Sequence, residues 1–487
     1  MELKDLIKKV VILNQINFNE KVEVTTIAFD SRKVTKGTLF VAQKGVHVDG
    51  HQYISRAIDL GANVIVCEEI PPAIVDEVVY VQVENANEAL AMLAANFYDH
   101  PSEKLKLVGV TGTNGKTTVA SLLYQLFHLL GYKTGLLSTV KVVVDQQEFK
   151  ATHTTPDSLA INMYMAEMVK VGVDYCFMEV SSHGIHQERT FGLDFNGGVF
   201  TNITHDHLDY HKTFSEYRDV KKSFFDHLSQ SAFALTNTDD KNGMVMLQNT
   251  KATKKTYSQK TLADYKVRIL EKSFSGMLLQ INQHEVWVQL VGGFNASNLG
   301  AIYGVACELG VDEMELLTAL SQLKSVDGRF QYQVSKTGIV SVVDYAHTPD
   351  ALKNILSTIK EMVNSSVNII TVVGCGGDRD KTKRPKMAAI SAELSTQVIL
   401  TSDNPRTEDP ALILEDMEAG ITAEKAHKVL TISDRKQAIK TACKLAKKDD
   451  VVLVAGKGHE TYQEVNGKRT HFDDKEILIE TFETLNK

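Results

Sequence analysis

Cysteine is scarce: the 487 residues hold five, Cys67, Cys176, Cys307, Cys375 and Cys443, each standing alone. No two have C-x-x-C spacing, so neither a disulfide framework nor a zinc ribbon is encoded, and a reducing compartment is expected. Long apolar runs are missing as well. No stretch approaches the ~18 residues of a membrane span, and Met1-Glu-Leu-Lys-Asp-Leu-Ile-Lys-Lys9 lacks an apolar signal core. A cytoplasmic location is therefore expected, away from membranes. Nor is there a surplus of positive charge, since 53 Lys and Arg stand against 61 Asp and Glu, a net −8. That argues against a general binder of nucleic acid or membrane surface. An anionic substrate would have to be met by local basic groups. No internal repeat or low-complexity tract stands out.

What remains is the mix of an ordinary globular protein, 43% hydrophobic and 23% charged. At about 150 residues per domain the length allows roughly three. The polar, proline-containing Tyr98-Asp-His-Pro-Ser-Glu-Lys104 follows a helical pattern (Ala89, Leu90, Leu93, Ala94, Phe97). Ser325-Val-Asp-Gly-Arg-Phe330 separates a helical segment ending at Leu323 from the strand-like Ile339–Asp344. Cuts at these points predict units 1–104, 105–332 and 333–487. The second and third alternate β-branched runs (Leu107–Thr111, Tyr175–Val180, Val367–Val373, Val398–Thr401, Val451–Ala455) with helical periodicity. Runs apolar on both faces predict an α/β fold with parallel sheets covered on both sides, whose ligands bind at the carboxyl ends of the strands.

After the strand Leu107–Thr111 comes Gly112-Thr-Asn-Gly-Lys-Thr-Thr118, then an amphipathic helix with Val119, Leu122, Leu123, Leu126, Leu129 and Leu130 on one face and Gly131 as its stop. Strand, glycine-rich turn and helix start form a phosphate cradle. Backbone N–H groups of Gly112, Thr113, Asn114, Gly115 and Thr118 approach the phosphates, Lys116 reaches the terminal ones, and the Thr117 hydroxyl holds Mg²⁺. The strict pattern wants glycine where this chain has Val110. A chance Gly-Lys-Thr turn is the alternative, and it does not account for the flanking strand and helix. A nucleoside triphosphate site follows.

Glu179 closes the strand-like Tyr175–Val180 beside that loop, a natural Mg²⁺ ligand. Further on, His205, Asp206, His207, Asp209 and His211 crowd seven residues, which points to metal or phosphate work or else to a solvated polar loop. Zinc is disfavoured, because neither cysteine nor an HExxH motif accompanies them.

Gly112–Thr118, Glu179–Gly184 and His205–His211, in this order, resemble the ATP-dependent Mur ligase superfamily, which also includes folylpolyglutamate synthetase. The resemblance covers essentially the whole chain. It implies a UDP-substrate-binding α/β domain, a central P-loop ATPase-like parallel sheet and a C-terminal Rossmann-like α/β domain. It implies a pair of Mg²⁺ ions, with His207 ligating one, and a CO₂-derived carbamate on Lys221 in Tyr217-Arg-Asp-Val-Lys-Lys222. Adjacent Lys222 leaves the register open, and a solvated helix lysine is the plain alternative. Phe29-Asp-Ser-Arg32, Gly37–Ala42 and Lys44–His51 resemble the UDP-muramoyl-binding domain, which folylpolyglutamate synthetases lack. That similarity sets Phe29, Ser31, Val46, His47 and Val48 against the UDP part, and His153, Thr154, Thr155, Ser181, Gln187 and Arg189 against the sugar-peptide. It assigns Asn298, Arg329 and Asp344 to ATP. It turns Arg379, Asp403, Asn404, Pro405, Arg406, Gly456 and Glu460 towards the incoming amino acid.

The implied reaction joins an amino acid to the D-glutamate γ-carboxylate of UDP-MurNAc-L-Ala-D-Glu through an acyl phosphate, in a monomer. Arg406 favours meso-diaminopimelate over L-lysine, because a guanidinium grips a second carboxylate bidentately. The plain alternative has Arg406 capping its loop or pairing with Glu408 or Asp409. An L-lysine-adding or folylpolyglutamate synthetase-like ligase, a P-loop kinase and a nucleotide-gated binding module are the rival readings.

Overall fold

The computed structural model describes residues 1–45 and 48–487, without the side chains of Leu208 and Asp209. Two of the expected UDP contacts, Val46 and His47, lie outside the described residues. The described strands form three main sheets and one hairpin, Tyr462–Val465 with Lys468–His471.

In the N-terminal sheet, Thr26–Ala28, Thr38–Ala42, Ala62–Cys67 and Val79–Val83 run parallel, and Ile12–Ile16 pairs antiparallel at one edge. Its inner strand Thr38–Ala42 is buried along its whole length, as expected of a strand covered on both faces.

The central sheet has eleven strands. Its parallel middle runs from Tyr265–Ser273 through Thr253–Ser258, Phe233–Asn237, Gly197–Phe200, Lys106–Thr111 and Tyr175–Glu179 to Thr134–Leu137. Antiparallel strands extend it at both ends, Gly276–Ile281 and His284–Val288 on one side, Lys141–Val144 and Gln147–Lys150 on the other. The helix Lys116–Leu129 lies on the parallel part. Val119, Leu122, Leu123, Leu126 and Phe127 are all fully buried there. Each such side chain contributes roughly 1.5–3 kcal/mol by leaving water. Leu129, expected on the same face, is 46% exposed. At about 100° per residue it falls on one shoulder of the apolar stripe, and Phe127, on the other shoulder, turns inward instead.

In the C-terminal sheet the order is Gln331–Val334, Val340–Asp344, Val451–Ala455, Ile369–Cys375, Gln397–Ser402, Val429–Thr431, with only the first pair antiparallel. Among the described residues no helix is long and apolar enough to cross a membrane.

The sequence motifs sit where parallel strands end. Gly112 follows Thr111, Ser181 lies two residues past Glu179, and Thr201 follows Phe200. In the C-terminal sheet Tyr345, Gly376, Asp403 and Gly456 each follow the last residue of a strand. Both sets of strand ends open on the same cleft, which has a volume of about 910 Å³.

Candidate active site

The phosphate loop is held from below by the next strand's exit. Thr201 Oγ1 donates to the Asn114 carbonyl at 2.6 Å, and Asn202 bonds both Asn114 backbone groups at 2.9 and 3.0 Å. Gly115, at φ +92°, starts the helix, and a Cβ there would come within 2.8 Å of Asn298 Oδ1. Glycine thus lets Asn298, from the helix Gly293–Glu308, press against the loop. Lys116 Nζ donates to the carbonyls of Gly112 and Thr113, both at 2.9 Å, curling back over its own loop.

Thr117 Oγ1 donates to Glu179 Oε2 at 2.9 Å, while Glu179 Oε1 accepts from the Thr139 amide at 2.7 Å. Glu179 is fully buried, and both hydrogen-bond partners are neutral. A buried carboxylate so placed calls for a cation. From the linker, Arg329 donates to Thr117 Oγ1 at 3.1 Å and stacks on Tyr345, 4.5 Å from its ring centroid. Asp344 accepts from the Phe330 amide at 2.6 Å, and burial raises its pKa.

The two lysines of the helix Phe214–Asp226 diverge. Lys221 is 1% exposed, and its Nζ donates to the Gly112 carbonyl at 2.9 Å above the Tyr217 ring. Burial first, then the Lys116 charge, drives its pKa well below the ordinary lysine value. Lys222 instead pairs with Asp226 at 2.6 Å.

The histidine-rich segment does not act as one cluster. His207 and Asp206 line the cleft, and burial pushes the His207 pKa down to about 3 against the pull of Asp206. His205 is exposed. His211 is fully buried among Tyr210, Tyr217, His183 and His186, and neither ring nitrogen has a hydrogen bond among the described residues. Among the described residues no three His, Cys, Asp or Glu side chains converge to hold a metal. Of this stretch, Asp206 and His207 face the cleft, and the Asp209 side chain lies outside the described residues. His211 packs under the Phe214–Asp226 helix instead of facing the cleft.

Thr155, Ser181, Gln187 and Arg189 form one group. The Ser181 amide donates to Thr155 Oγ1 at 2.9 Å, and Arg189 bonds the Thr155 carbonyl at 2.6 Å and Gln187 Oε1 at 2.7 Å. Thr154 accepts from Thr139 at 3.1 Å, and His153 lies on the exposed side of that loop. Phe29, Ser31 and Val48 are on the N-terminal domain. Phe29 packs on its core, Ser31 is buried at the start of a short 3₁₀ turn, and Val48 is 52% exposed.

On the far wall, Asn404 Nδ2 donates to Glu460 Oε2 at 2.7 Å. Burial and the nearby Asp403 charge raise the Glu460 pKa. Gly456, at φ +114°, lets Asp403 come close, since a Cβ would lie 2.7 Å from Asp403 Oδ2. Pro405 is buried in the same turn, and Arg379 is exposed at the rim. Arg406 Nη1 donates to the Gly377 carbonyl at 2.6 Å. Glu408 is engaged elsewhere, by Arg384 at 2.8 Å and Lys381 at 3.0 Å. The guanidinium therefore ties two loops together, as the loop-capping alternative has it, and forms no ion pair among the described residues.

Sequence reasoning missed the Thr139 amide, Tyr217 beneath Lys221, and the wall formed by Gln259, Phe294, Asn354 and Thr358. Tyr217 carried a signal, since it lies four residues before Lys221, one helical turn away. The wall carried none, because its members meet only when two domains are set side by side.

Comparison with known proteins adds family models along most of the chain. "Mur ligase family, catalytic domain" matches residues 23–98, "Mur ligase middle domain" 110–306, and "Mur ligase, glutamate ligase domain" 328–458. A protein of Parabacteroides distasonis named UDP-N-acetylmuramoyl-L-alanyl-D-glutamate--2,6-diaminopimelate ligase is 55% identical over 484 residues, covering 99% of each chain. One of the same name from Cytophaga hutchinsonii is 53% identical over 488 residues and covers both chains fully. A solved structure with that name superposes with a TM-score of 0.69 at 31% identity, over 100% of this chain and 99% of the other.

Proposed function

The chain belongs to the Mur ligase family, and from that premise we infer which carboxylate it activates and which amine it takes. It is an ATP-dependent ligase that forms amide bonds. The acceptor is the D-glutamate γ-carboxylate of UDP-MurNAc-L-Ala-D-Glu, and the added amino acid is meso-2,6-diaminopimelate, in the supply of peptidoglycan precursor. The observation that carries this reading is a single cleft. One wall is a phosphate loop, and the other is the Asp403–Arg406 turn with Glu460. Full-length relatives at 53–55% identity named for diaminopimelate support the choice of amine.

The γ-carboxylate attacks the γ-phosphorus of ATP, giving an acyl phosphate and ADP. The amine nitrogen then bonds to the acyl carbon, loses a proton, and phosphate leaves with the C–O electrons. Little covalent work falls to the protein, so positioning and charge neutralisation carry the rate. Lys116 exchanges its two loop carbonyls for the transferring phosphoryl oxygens. Arg329 reaches from the linker to the Thr117 end of the loop, and Asn298 braces the loop from behind. Thr155, Ser181, Gln187 and Arg189 hold the peptide part, with Thr154 and His153 beside them. Phe29, Ser31 and Val46–Val48 receive the uridine end.

The donors near the loop suit a hard divalent cation. Glu179, the Thr117 hydroxyl and a carbamate oxygen on Lys221 are oxygens, and His207 is a neutral imidazole. These residues would hold Mg²⁺, which when bound offsets negative charge on the phosphoryl group. The carbamate forms when neutral Lys221 Nζ adds to the carbon of CO₂ and releases a proton. The depressed pKa and full burial of Lys221 favour the neutral amine that this requires.

The reading further divides the chain near 104 and 332 and takes it as a cytoplasmic monomer. Its test is phosphate release. Release should require ATP, UDP-MurNAc-L-Ala-D-Glu and an amino acid together. Release that responds to a folate and glutamate but not to the UDP-dipeptide would replace this function with a folylpolyglutamate synthetase-like one.

A further inference from the structure

Lys457 is fully buried, yet it is a lysine, and it follows Gly456 in the wall that faces the amino acid. Its Nζ lies 3.2 Å from Asn404 Oδ1, 3.3 Å from Glu460 Oε2 and 2.5 Å from the Tyr462 carbonyl. All three N–H groups of the ammonium therefore have an acceptor. A buried cation is costly unless paired, and an apolar side chain of similar length would fill this space at lower cost. Two of its three acceptors belong to side chains read above as holding the amino acid.

The contacts also decide how Asn404 is turned. Its Oδ1 accepts from Lys457 and from the Glu464 amide at 2.9 Å, and neither partner can accept a hydrogen bond in return. The oxygen must face them. The carboxamide nitrogen then faces Glu460, whose Oε2 takes one N–H, while no acceptor among the described residues takes the other, and both side chains line the cleft. Without Lys457 one of the two donors that fix this orientation disappears. The same loss removes the positive charge nearest Glu460, which shares its corner with Asp403.

We infer that Lys457 is the positioning residue of the amino-acid site. It holds the Asn404 carboxamide with its N–H groups towards the incoming amino acid, and it balances the Glu460 carboxylate, without itself touching substrate. It rests on the reading of this wall as the amino-acid site. The competing role is a strut: through the Tyr462 carbonyl, Lys457 also pins the hairpin Tyr462–Val465 and Lys468–His471.

Steady-state kinetics on the full-length enzyme separate the two. Lys457→Met removes the ammonium, and Lys457→Gln keeps a single polar group. For Lys457→Met, KM for the amino acid should rise roughly tenfold to a hundredfold, by analogy with the loss of a group that orients a metal ligand. KM for ATP and for the UDP-dipeptide should stay within about twofold, since Lys116 and Arg189 lie outside this network. Lys457→Gln should fall between the two, and thermal melting shows whether each variant is folded. Equal losses for all three substrates, or unfolding of both variants, would make Lys457 a strut and overturn the inference. KM is read for whichever amino acid the unaltered enzyme uses, so a wild-type preference for L-lysine would correct the function above while leaving this test intact. A wild-type enzyme that adds no amino acid would sink the function itself.

Discussion

At the scale of single residues, bonding partners separate neighbours of the same type. Lys221 and Lys222 are adjacent and chemically identical, but only Lys221 turns to the phosphate loop, while Lys222 is held by Asp226. If the Lys221 carbamate is the working species, Lys221→Ala should abolish turnover, and short carboxylic acids should restore part of it by filling the vacated anion site. Lys222→Ala should keep most of its activity. Full activity in Lys221→Ala, measured by phosphate release, would move the role elsewhere. The resemblance chose Lys221 but left its register against Lys222 open, because helix phase alone does not say which of two adjacent lysines meets the phosphate loop. The phosphate loop was legible, since glycine spacing, lysine and threonine follow directly from what a phosphate requires. His211 was misleading for the opposite reason: its neighbours in sequence are polar, and only packing against Tyr217 shows that it is buried.

Among elements, strands buried on both faces announced themselves through unbroken β-branched runs, and Val451–Ala455 lies where the pattern put it. The antiparallel extensions of the central sheet were not foreseen. Gln147–Lys150, at one edge, is mostly exposed and carries Glu148 and Lys150, so it lacks the apolar run on which that reading relied. How the C-terminal strand ends are fixed is visible only in three dimensions. Arg435 and Asp474 form a fully buried pair at 2.7 Å. The guanidinium also donates to the Ala455 carbonyl at 3.0 Å and lies 3.4 Å from that of Ser402. Those carbonyls precede Gly456 and Asp403, so one side chain ties together two turns that line the cleft. Arg435→Met leaves Asp474 buried without its partner and should cost about 3–5 kcal/mol of stability. Denaturant unfolding measures this directly. A change below about 1 kcal/mol would mean that the pair is dispensable to the fold.

Over the whole molecule, function depends on surfaces that no single domain owns. The cleft takes the loop from the central sheet and the Asp403–Arg406 turn from the C-terminal sheet, and Arg329 bridges them from the linker. That joint wall explains why the part of the cleft formed by Gln259, Phe294 and Asn354 was invisible in sequence while each separate motif was plain. On the proposed reading the amino acid is chosen at Arg406, which is anchored to the Gly377 carbonyl but paired with neither Glu408 nor any other acid among the described residues. A diaminopimelate molecule brings a second carboxylate to that charge, whereas L-lysine brings only an ammonium, so selection works by repulsion as well as attraction. The most direct measurement is kcat/KM for meso-diaminopimelate and for L-lysine under identical conditions with ATP and UDP-MurNAc-L-Ala-D-Glu. A preference for diaminopimelate of roughly 10⁴-fold or more is predicted, as for a site built around a polar partner that the rival lacks. Equal values, or a preference for L-lysine, would contradict it.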